Sequence, residues 1–477
     1  MRHYARSRAW CEWQDFDGWQ QRALQALADP GAAALSPFHL LSLPGISAAQ
    51  QQACAGRWMA ARLRASAGDR SRLAAEFAAA DIGRAPSQGP IRIGYLSGDF
   101  HQHATALLMV EMLEAHDRQR FELHGYSYGA DDGRGMRQRL RGPFQTFTDI
   151  TAHSDTQAAR AIHAAGIHIL VDLKGYTAGT RTALLTYRPA PLQVSFLGYP
   201  GTLGGAFCDY LVSDAFITPE ASAADYSEAL ACMPHSYQPH GRHAEIAPRP
   251  TRQAVGLPEQ GLVLCCFNQA YKFTPEMFGI WCGLLEQAPG SVLWLLRDEQ
   301  AEGNLRGEAL RRGVAPQRLV FAEPLPQAQH LGRLQLADLV LDTLPYNAHT
   351  TASDALWAGV PLLTCAGQTF ASRVAGSLLH AVGLPQLVTH SVAAYAELAA
   401  ALVAEPQRLQ ALRARLAGLR LQSHLFDVAG YTLDLEHLYT QMWQRHLAGL
   451  APQRLNPGLA GSGSNRLQAR FARSKPA

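Results

Sequence analysis

The sequence predicts two Rossmann-like, doubly wound α/β domains facing a cleft, preceded by an all-α segment. Three observations carry that prediction. From Ile91 to Val382, continuous apolar runs alternate with stretches of helical period, as in a parallel sheet covered on both faces. A polar, proline-containing stretch, Gln238–Arg252 (QPHGRHAEIAPRPTR), interrupts the alternation, which then restarts. Residues 1–88 show helical spacing and no strand pattern. The expected division is therefore 1–88 helical and linker, 89–240 first α/β domain, 241–450 second, and 451–477 a disordered tail. A chain of 477 residues is in any case too long for one hydrophobic core.

Taken in order, Phe16–Leu27 and Ala48–Ala65 read as helices, joined by the Pro/Gly-punctuated connector SPFHLLSLPGIS. They suggest a helical platform or the end of a repeat array. Asp15-Phe16-Asp17 is a literal DxD, a pattern that can hold a metal, but its helical, Trp-flanked context reads as a solvated helix start. Ala85–Pro90 is a linker. Strands are predicted at Ile91–Ser97, Phe121–Ser127, near Phe147, and at Ile167–Leu173, Leu192–Leu197 and Tyr210–Ser213. Helices are predicted at Thr105–His116, around Arg134–Arg141 and at Asp155–Ala165. In the second block the strands are Leu262–Phe267, Val292–Leu296, Arg318–Phe321, Leu339–Leu341 and Leu362–Thr364. Helices Pro275–Gln287, Ala301–Arg312, Ala328–Leu334 and Ser372–Val382 lie among them, and the chain stays helical to about Leu450. The tail is basic and low in complexity, and its GSGS follows no strand.

Composition removes several classes. With 47% hydrophobic and 17% charged residues the chain is that of an ordinary globular protein. Its 42 Lys and Arg against 39 Asp and Glu give +3, too balanced for a nucleic-acid or membrane-surface binder. Eight cysteines without CxxC or Cys/His zinc spacing read as reduced core residues. No apolar run approaches the roughly 20 residues of a bilayer span, and MRHYARSRAWCEW lacks the apolar segment of a signal peptide. A soluble, cytoplasmic protein is expected. Neither block carries GxGxxG after its first strand or GxxxxGK[ST], which disfavours dinucleotide redox chemistry and P-loop phosphoryl transfer.

Ligands in such domains bind where loops leave the carboxyl ends of strands. The loop Ser97–Thr105 places His103 just ahead of a helix, able to take a proton or orient a hydroxyl, or simply a polar loop residue. Lys174–Gly179, with Thr177, and Gly198–Thr202 are glycine-rich turns that permit close backbone approach, though turn chemistry alone also explains them. His168 reads as a core histidine, and Asp172 at its strand's exit is a second acid/base candidate. In Phe267–Pro275, Lys272 can set an ammonium beside a diphosphate, where electrostatic stabilisation needs no metal; the ordinary alternative is a surface lysine. Leu339–Pro361 (LVLDTLPYNAHTTASDALWAGVP) reads as strand, loop and short helix. Thr351-x-x-Asp354 has capping-box spacing, Gly359 supplies a left-handed stop, and Pro361 forbids continuation. The helix start at His349, Thr350 and Thr351 is a seat for phosphate or an ordinary capped helix.

In order, GYLSGDFHQHAT, VDLKGYTAGTR, RPAPLQVSFLGYPGT, CDYLVSD, FNQAYKFTPEMFGIWCGLLEQAPGSVLWLLR, QLADLVLDTLPYNAHTTASDALWAGVPLLT and FASRVAGSLL closely resemble the catalytic region of the O-linked N-acetylglucosamine transferases. These tetratricopeptide-bearing enzymes glycosylate Ser and Thr of intracellular proteins. The resemblance runs from about Ile91 to Trp443, and SPFHLLSLPGIS is similar to the connector of bacterial members. It implies a GT-B type fold, a metal-independent inverting transfer without cofactor, a UDP-N-acetylglucosamine donor and a protein or peptide acceptor. Residues 1–85 would end a tetratricopeptide superhelix, in a chain truncated from a longer one.

Residue by residue, His103 matches the family's active-site histidine, proposed both as base and as positioning group. Lys272 matches the lysine on the donor phosphates, with Gln269 and Tyr271 beside it. His330 matches a histidine near the uracil. His349, Thr350, Thr351 and Asp354 match the motif holding diphosphate and ribose, while Gly198 and Thr177 fall in loops lining the sugar pocket. Two positions depart from the animal enzymes: Gln327 replaces a lysine near the nucleobase, and Tyr346 a cysteine beside the acetamide. Both bear on the donor, leaving UDP-glucose as another possible substrate. GDP-fucose, the donor of the plant paralogues, is disfavoured by His349, where those have threonine-rich sequence. A nucleotide-binding scaffold without turnover is disfavoured by the joint presence of His103, Lys272 and Asp354. No residue pattern specifies the acceptor or the oligomeric state.

Overall fold

The structure, a computed structural model, describes residues 2–29, 31–32, 35–81 and 89–456. The expected linker, up to residue 88, and the tail from 457 onward lie outside the described residues. The chain divides into two compact units. One holds Ser36–Phe38, Ala48–Gly241 and the residues from Asp427 on; the other holds Met1–Leu35, His39–Ser47 and Arg242–Phe426.

The first unit is built on seven strands: β1 (Ile91–Ser97), β2 (Phe121–Ser127), β3 (Thr146–Asp149), β4 (Ile169–Asp172), β5 (Leu192–Ser195), β6 (Tyr210–Asp214) and β7 (Ala229–Met233). They pair in parallel in the order β3-β2-β1-β4-β5-β6-β7. The second unit has β8 (Val263–Cys266), β9 (Val292–Leu296), β10 (Leu319–Ala322), β11 (Leu339–Leu341), β12 (Leu362–Cys365) and β13 (Val388–Thr389). These are also parallel, ordered β10-β9-β8-β11-β12-β13. Every residue of β4, β5, β8 and β11 is buried, which is why β8 (VLCC) and β11 (LVL) read as unbroken apolar runs rather than alternating ones; β5 (LQVS) instead buries Gln193 and Ser195.

Strand order has a direct consequence. Each sheet grows one way from its first strand and then the other, so the order reverses between β1 and β4 in one unit and between β8 and β11 in the other. Loops leaving the carboxyl ends of such a pair diverge and leave a crevice. The helices that follow are locally specified. Thr274 accepts a hydrogen bond from the Met277 amide ahead of Pro275–Gln287, with Pro275 at the first helical position. Ser154 and Gln157 form a reciprocal capping box on Asp155–Ala164.

Two strands are absent from the sequence reading. β13 is β-branched (Val-Thr) but only two residues long, too short to show a pattern, and β7 is an Ala/Cys-rich segment without a β-branched residue and so without a propensity signal. The division also differs from 241–450. Helix Val428–Leu447 packs on the first sheet: Tyr439 meets Tyr95 through their hydroxyls (3.3 Å), Glu436 receives the Asp117 amide (2.7 Å), and Trp443 stacks on His168 (4.4 Å). The helical segment is likewise shared, its first helices joining the second unit and Ala48–Asp81 the first. A disordered tail from 451 is corrected too. Leu455 donates to the Leu230 carbonyl (2.9 Å) and accepts from the Cys232 amide (2.8 Å), placing 451–456 beside β7. All eight cysteines are buried and none is joined in a disulfide, and His168 is buried, its Nδ1 accepting the Arg92 amide (3.0 Å), as expected of core residues.

Candidate active site

In the first unit the loops after β1, β4 and β5 leave three adjacent strands. Asp99, buried after β1, receives the Lys174 ammonium at 2.6 Å from the loop after β4. His103 caps helix Ala104–Ala115 in extended backbone conformation, and its Nδ1 accepts the Thr105 amide at 3.2 Å. Asp99 Oδ2 lies 3.7 Å from the same nitrogen. Burial lowers the His103 pKa, and Lys174 and His101 add to this against the raising effect of Asp99. The neutral ring with Nδ1 accepting carries its proton on Nε2, so the side chain, 42% exposed, presents a donor rather than a base at its free edge.

Asp172 is corrected as a catalytic candidate. It is fully buried, and its oxygens are taken by the amides of Lys174 (3.0 Å) and Gly175 (3.2 Å) and by the Thr182 hydroxyl (2.8 Å). It shapes the turn that carries Lys174. Thr177 donates to the Lys174 carbonyl (2.9 Å), and Gly198 lies so close to the chain that a Cβ would stand 2.0 Å from the Leu173 oxygen.

The second unit assembles the larger set, on the two loops flanking its β8/β11 reversal. After β8, residues Ala270–Lys272 form a single 3₁₀ turn held between Phe267, against Trp294 (5.0 Å), and Phe273, against Trp281 (5.3 Å). Lys272 is buried; its ammonium donates to the Asn347 carbonyl at 2.8 Å and sits 3.9 Å from the centre of the Tyr346 ring. Burial pulls its pKa down, with Asp342 and Cys266 opposing. Tyr346, 6% exposed, also packs on Tyr271 (6.1 Å) and His349 (5.0 Å). Gln269 is exposed, its carbonyl accepting the Lys272 amide at 3.0 Å. His330 is half-buried beside Phe267 and Arg333, and burial with that cation lowers its pKa to about 4.

Helix Thr350–Trp357 begins after His349. The capping box expected of Thr351 and Asp354 is not formed: Thr351 Oγ1 instead donates to Asn268 Oδ1 at 2.6 Å, and His349 makes no side-chain cap. The first intrahelical donor is Ala352, to the His349 carbonyl (3.0 Å), so the amides of Thr350 and Thr351 precede the helical ladder at its positive end. Asp354 is 9% exposed, with no hydrogen-bond or ion-pair partner for its carboxylate among the described residues, and burial pushes its pKa up to about 7. Gly359 closes the helix at φ +81°, with the Val360 amide returning to Ala355 (2.9 Å), the left-handed stop expected. Asp15, expected as a helix start, sits at the N-cap of Phe16–Ala28 and pairs with Arg22.

Sequence reasoning missed the residues beneath this site. Asp342, at the exit of β11, accepts from the amides of Thr343 (2.7 Å) and Ala348 (2.6 Å), the Thr364 hydroxyl (2.6 Å) and Asn268 Nδ2 (3.3 Å). Asn268 thus ties the β8 loop to the β11 loop and to Thr351. The only signal was a polar residue directly after each buried strand.

The model of glycosyl transferase family 41 matches residues 10–249 and 246–435. The chain belongs to that family. This family 41 chain is 40% identical over 371 residues to the Arabidopsis thaliana protein described as a probable UDP-N-acetylglucosamine–peptide N-acetylglucosaminyltransferase, SEC, covering 76% of this chain and 38% of that protein. It is 31% identical to the Caenorhabditis elegans UDP-N-acetylglucosamine–peptide N-acetylglucosaminyltransferase, across 76% of this chain and 41% of the relative. It therefore spans about two fifths of these relatives' length. Among solved structures, an O-GlcNAc transferase mutant of Thermobaculum terrenum superposes with TM-score 0.74 at 28% identity, covering 91% of this chain and 82% of that one. Anabaena HepE shares the fold alone, with TM-score 0.51 at 13% identity over 74% of this chain. Two Rossmann-like sheets of the GT-B glycosyltransferase class are thereby established. Among the described residues no helix is long and apolar enough to cross a membrane.

Proposed function

We propose that this chain is an inverting glycosyltransferase that moves N-acetylglucosamine from UDP-N-acetylglucosamine to Ser or Thr hydroxyls of a protein or peptide in the cytoplasm. The observation that carries the reading is the buried Lys272 ammonium, held by a carbonyl and an aromatic face beside a helix N-terminus. A departing diphosphate gains from such a preorganised positive site as its charge develops, and the electrostatic work a divalent cation performs elsewhere falls here to Lys272 and the amides of Thr350 and Thr351. The Asp354 carboxylate suits a ribose hydroxyl, and the half-buried, neutral His330 suits a nucleobase edge. His103, with Nδ1 occupied, offers a hydrogen-bond donor at Nε2, which suits it to orient a reacting oxygen. The acceptor hydroxyl attacks the anomeric carbon as the bond to the β-phosphate oxygen of UDP breaks, with inversion.

The family membership and the descriptions of the plant and nematode relatives support this donor and acceptor class. Tyr346 supports the Lys272 arrangement, its ring face being the seat of the ammonium. The test is mass spectrometry of a Ser/Thr peptide library after incubation with UDP-N-acetylglucosamine and EDTA. Addition of one N-acetylhexosamine per modified peptide is expected; turnover that requires a divalent cation would overturn the metal-independent reading.

A further inference from the structure

We propose that Arg8, on the helical segment, is a positioning residue of the donor site, acting through the backbone turn that carries Lys272; this rests on the donor reading above. Arg8 lies on helix Arg2–Ala9 and is 2% exposed. Its Nη2 donates to the Tyr271 carbonyl at 2.8 Å and to the Ser42 carbonyl at 3.0 Å, and its guanidinium lies 5.1 Å from the centre of the Phe16 ring. Tyr271 O and Lys272 N belong to one planar peptide unit. At its other end Lys272 N donates to Gln269 O at 3.0 Å. Both ends of the plane entering Lys272 are therefore pinned, and the direction in which the lysine stem leaves the backbone is set. The next carbonyl back in the turn, that of Ala270, receives Cys11 Sγ at 3.5 Å from the same segment.

Two features separate this from ordinary packing. Arg8 has no carboxylate ion-pair partner among the described residues, although an unpaired buried cation is costly. Its Nε and Nη1 also make no hydrogen bond there. A residue selected for stability alone would be paired or apolar. Its Nη2 instead holds the carbonyl of the peptide unit that leads into Lys272. The direction in which the lysine leaves the backbone matters because its four-carbon stem is flexible.

The test is a double-mutant cycle read by calorimetric titration with UDP on the full chain: wild type, Arg8→Met, Lys272→Met and the double variant. Arg8→Met is expected to weaken UDP about tenfold when Lys272 is present and less than twofold when it is absent. Arg8→Lys, which keeps the charge and one donor, recovers part of the loss. An equal loss in both backgrounds would mark Arg8 as merely structural and overturn the proposal, as would no loss at all. If Arg8→Met does not fold, Arg8→Lys and Arg8→Gln are read in the same cycle with the same criterion. Absence of UDP binding by the wild type would instead overturn the donor reading.

Discussion

Each unit places a buried lysine where its sheet order reverses, and the two are held differently. Lys174 gives its ammonium to Asp99 at 2.6 Å, a neutralised pair that braces the loops beside His103. Lys272 is given a carbonyl and a ring face, while the nearby Asp342 is occupied by four other donors. The chain has three lysines against 39 arginines, and two of the three sit at these reversals. An ammonium is a compact point charge, and at Lys272 it is satisfied by a single carbonyl and a ring face. The contrast teaches that a buried lysine signals a ligand only when its carboxylate partner is missing: Lys174 is architecture, Lys272 is poised for an anion.

The comparison can be broken at either end. Asp99→Asn leaves Lys174 buried and unpaired, and is expected to cost on the order of 3–5 kcal/mol in that unit. Urea unfolding checks this, with UDP affinity unchanged. Lys272→Ala is expected to lower UDP release from UDP-N-acetylglucosamine by about 10²–10³-fold while the protein stays folded. Equal losses of stability in the two variants would erase the distinction between them. His103→Ala removes one hydrogen bond to a charged or reacting group, roughly 1.5–3 kcal/mol, or about 10–100-fold in transfer. UDP affinity should stay within twofold; if it vanishes, His103 is a binding residue.

The smallest effect is in pH. Burial lowers the Lys272 pKa, so the ammonium is lost as pH rises through a value below the ordinary lysine range of roughly 10.4. Donor kcat/KM should therefore fall on the alkaline side earlier than an exposed lysine would allow, and Lys272→Ala should lack that limb. The same shift makes the unfolded chain bind the proton more tightly than the native one, so the Lys272 contribution favours folding more as pH rises across that window.

The fold was legible because buried parallel strands such as VLCC and VLWLL leave unbroken apolar runs between caps and turn residues. Lys272 and His103 were legible as chemically apt residues in strand-exit loops. What supports them was not. Asn268 reaches Thr351 across 83 positions, and Arg8 reaches Tyr271 across 263, separations to which periodicity is blind. Local pattern also misled: Thr351 has the spacing of a capping residue, yet its hydroxyl turns to Asn268 because the neighbouring strand supplies a buried acceptor there. Asp172 looked like a strand-exit acid, but three donors in its own loop consume it.

The central claim is that the β8/β11 crevice is a uridine-diphosphate site organised by Lys272. Calorimetric titration of the wild-type chain with UDP and with GDP, repeated on Lys272→Ala, tests it most directly. The account predicts that UDP binds at least tenfold more tightly than GDP and that the substitution removes most of that affinity. Tighter binding of GDP, or UDP affinity unchanged in Lys272→Ala, would contradict it.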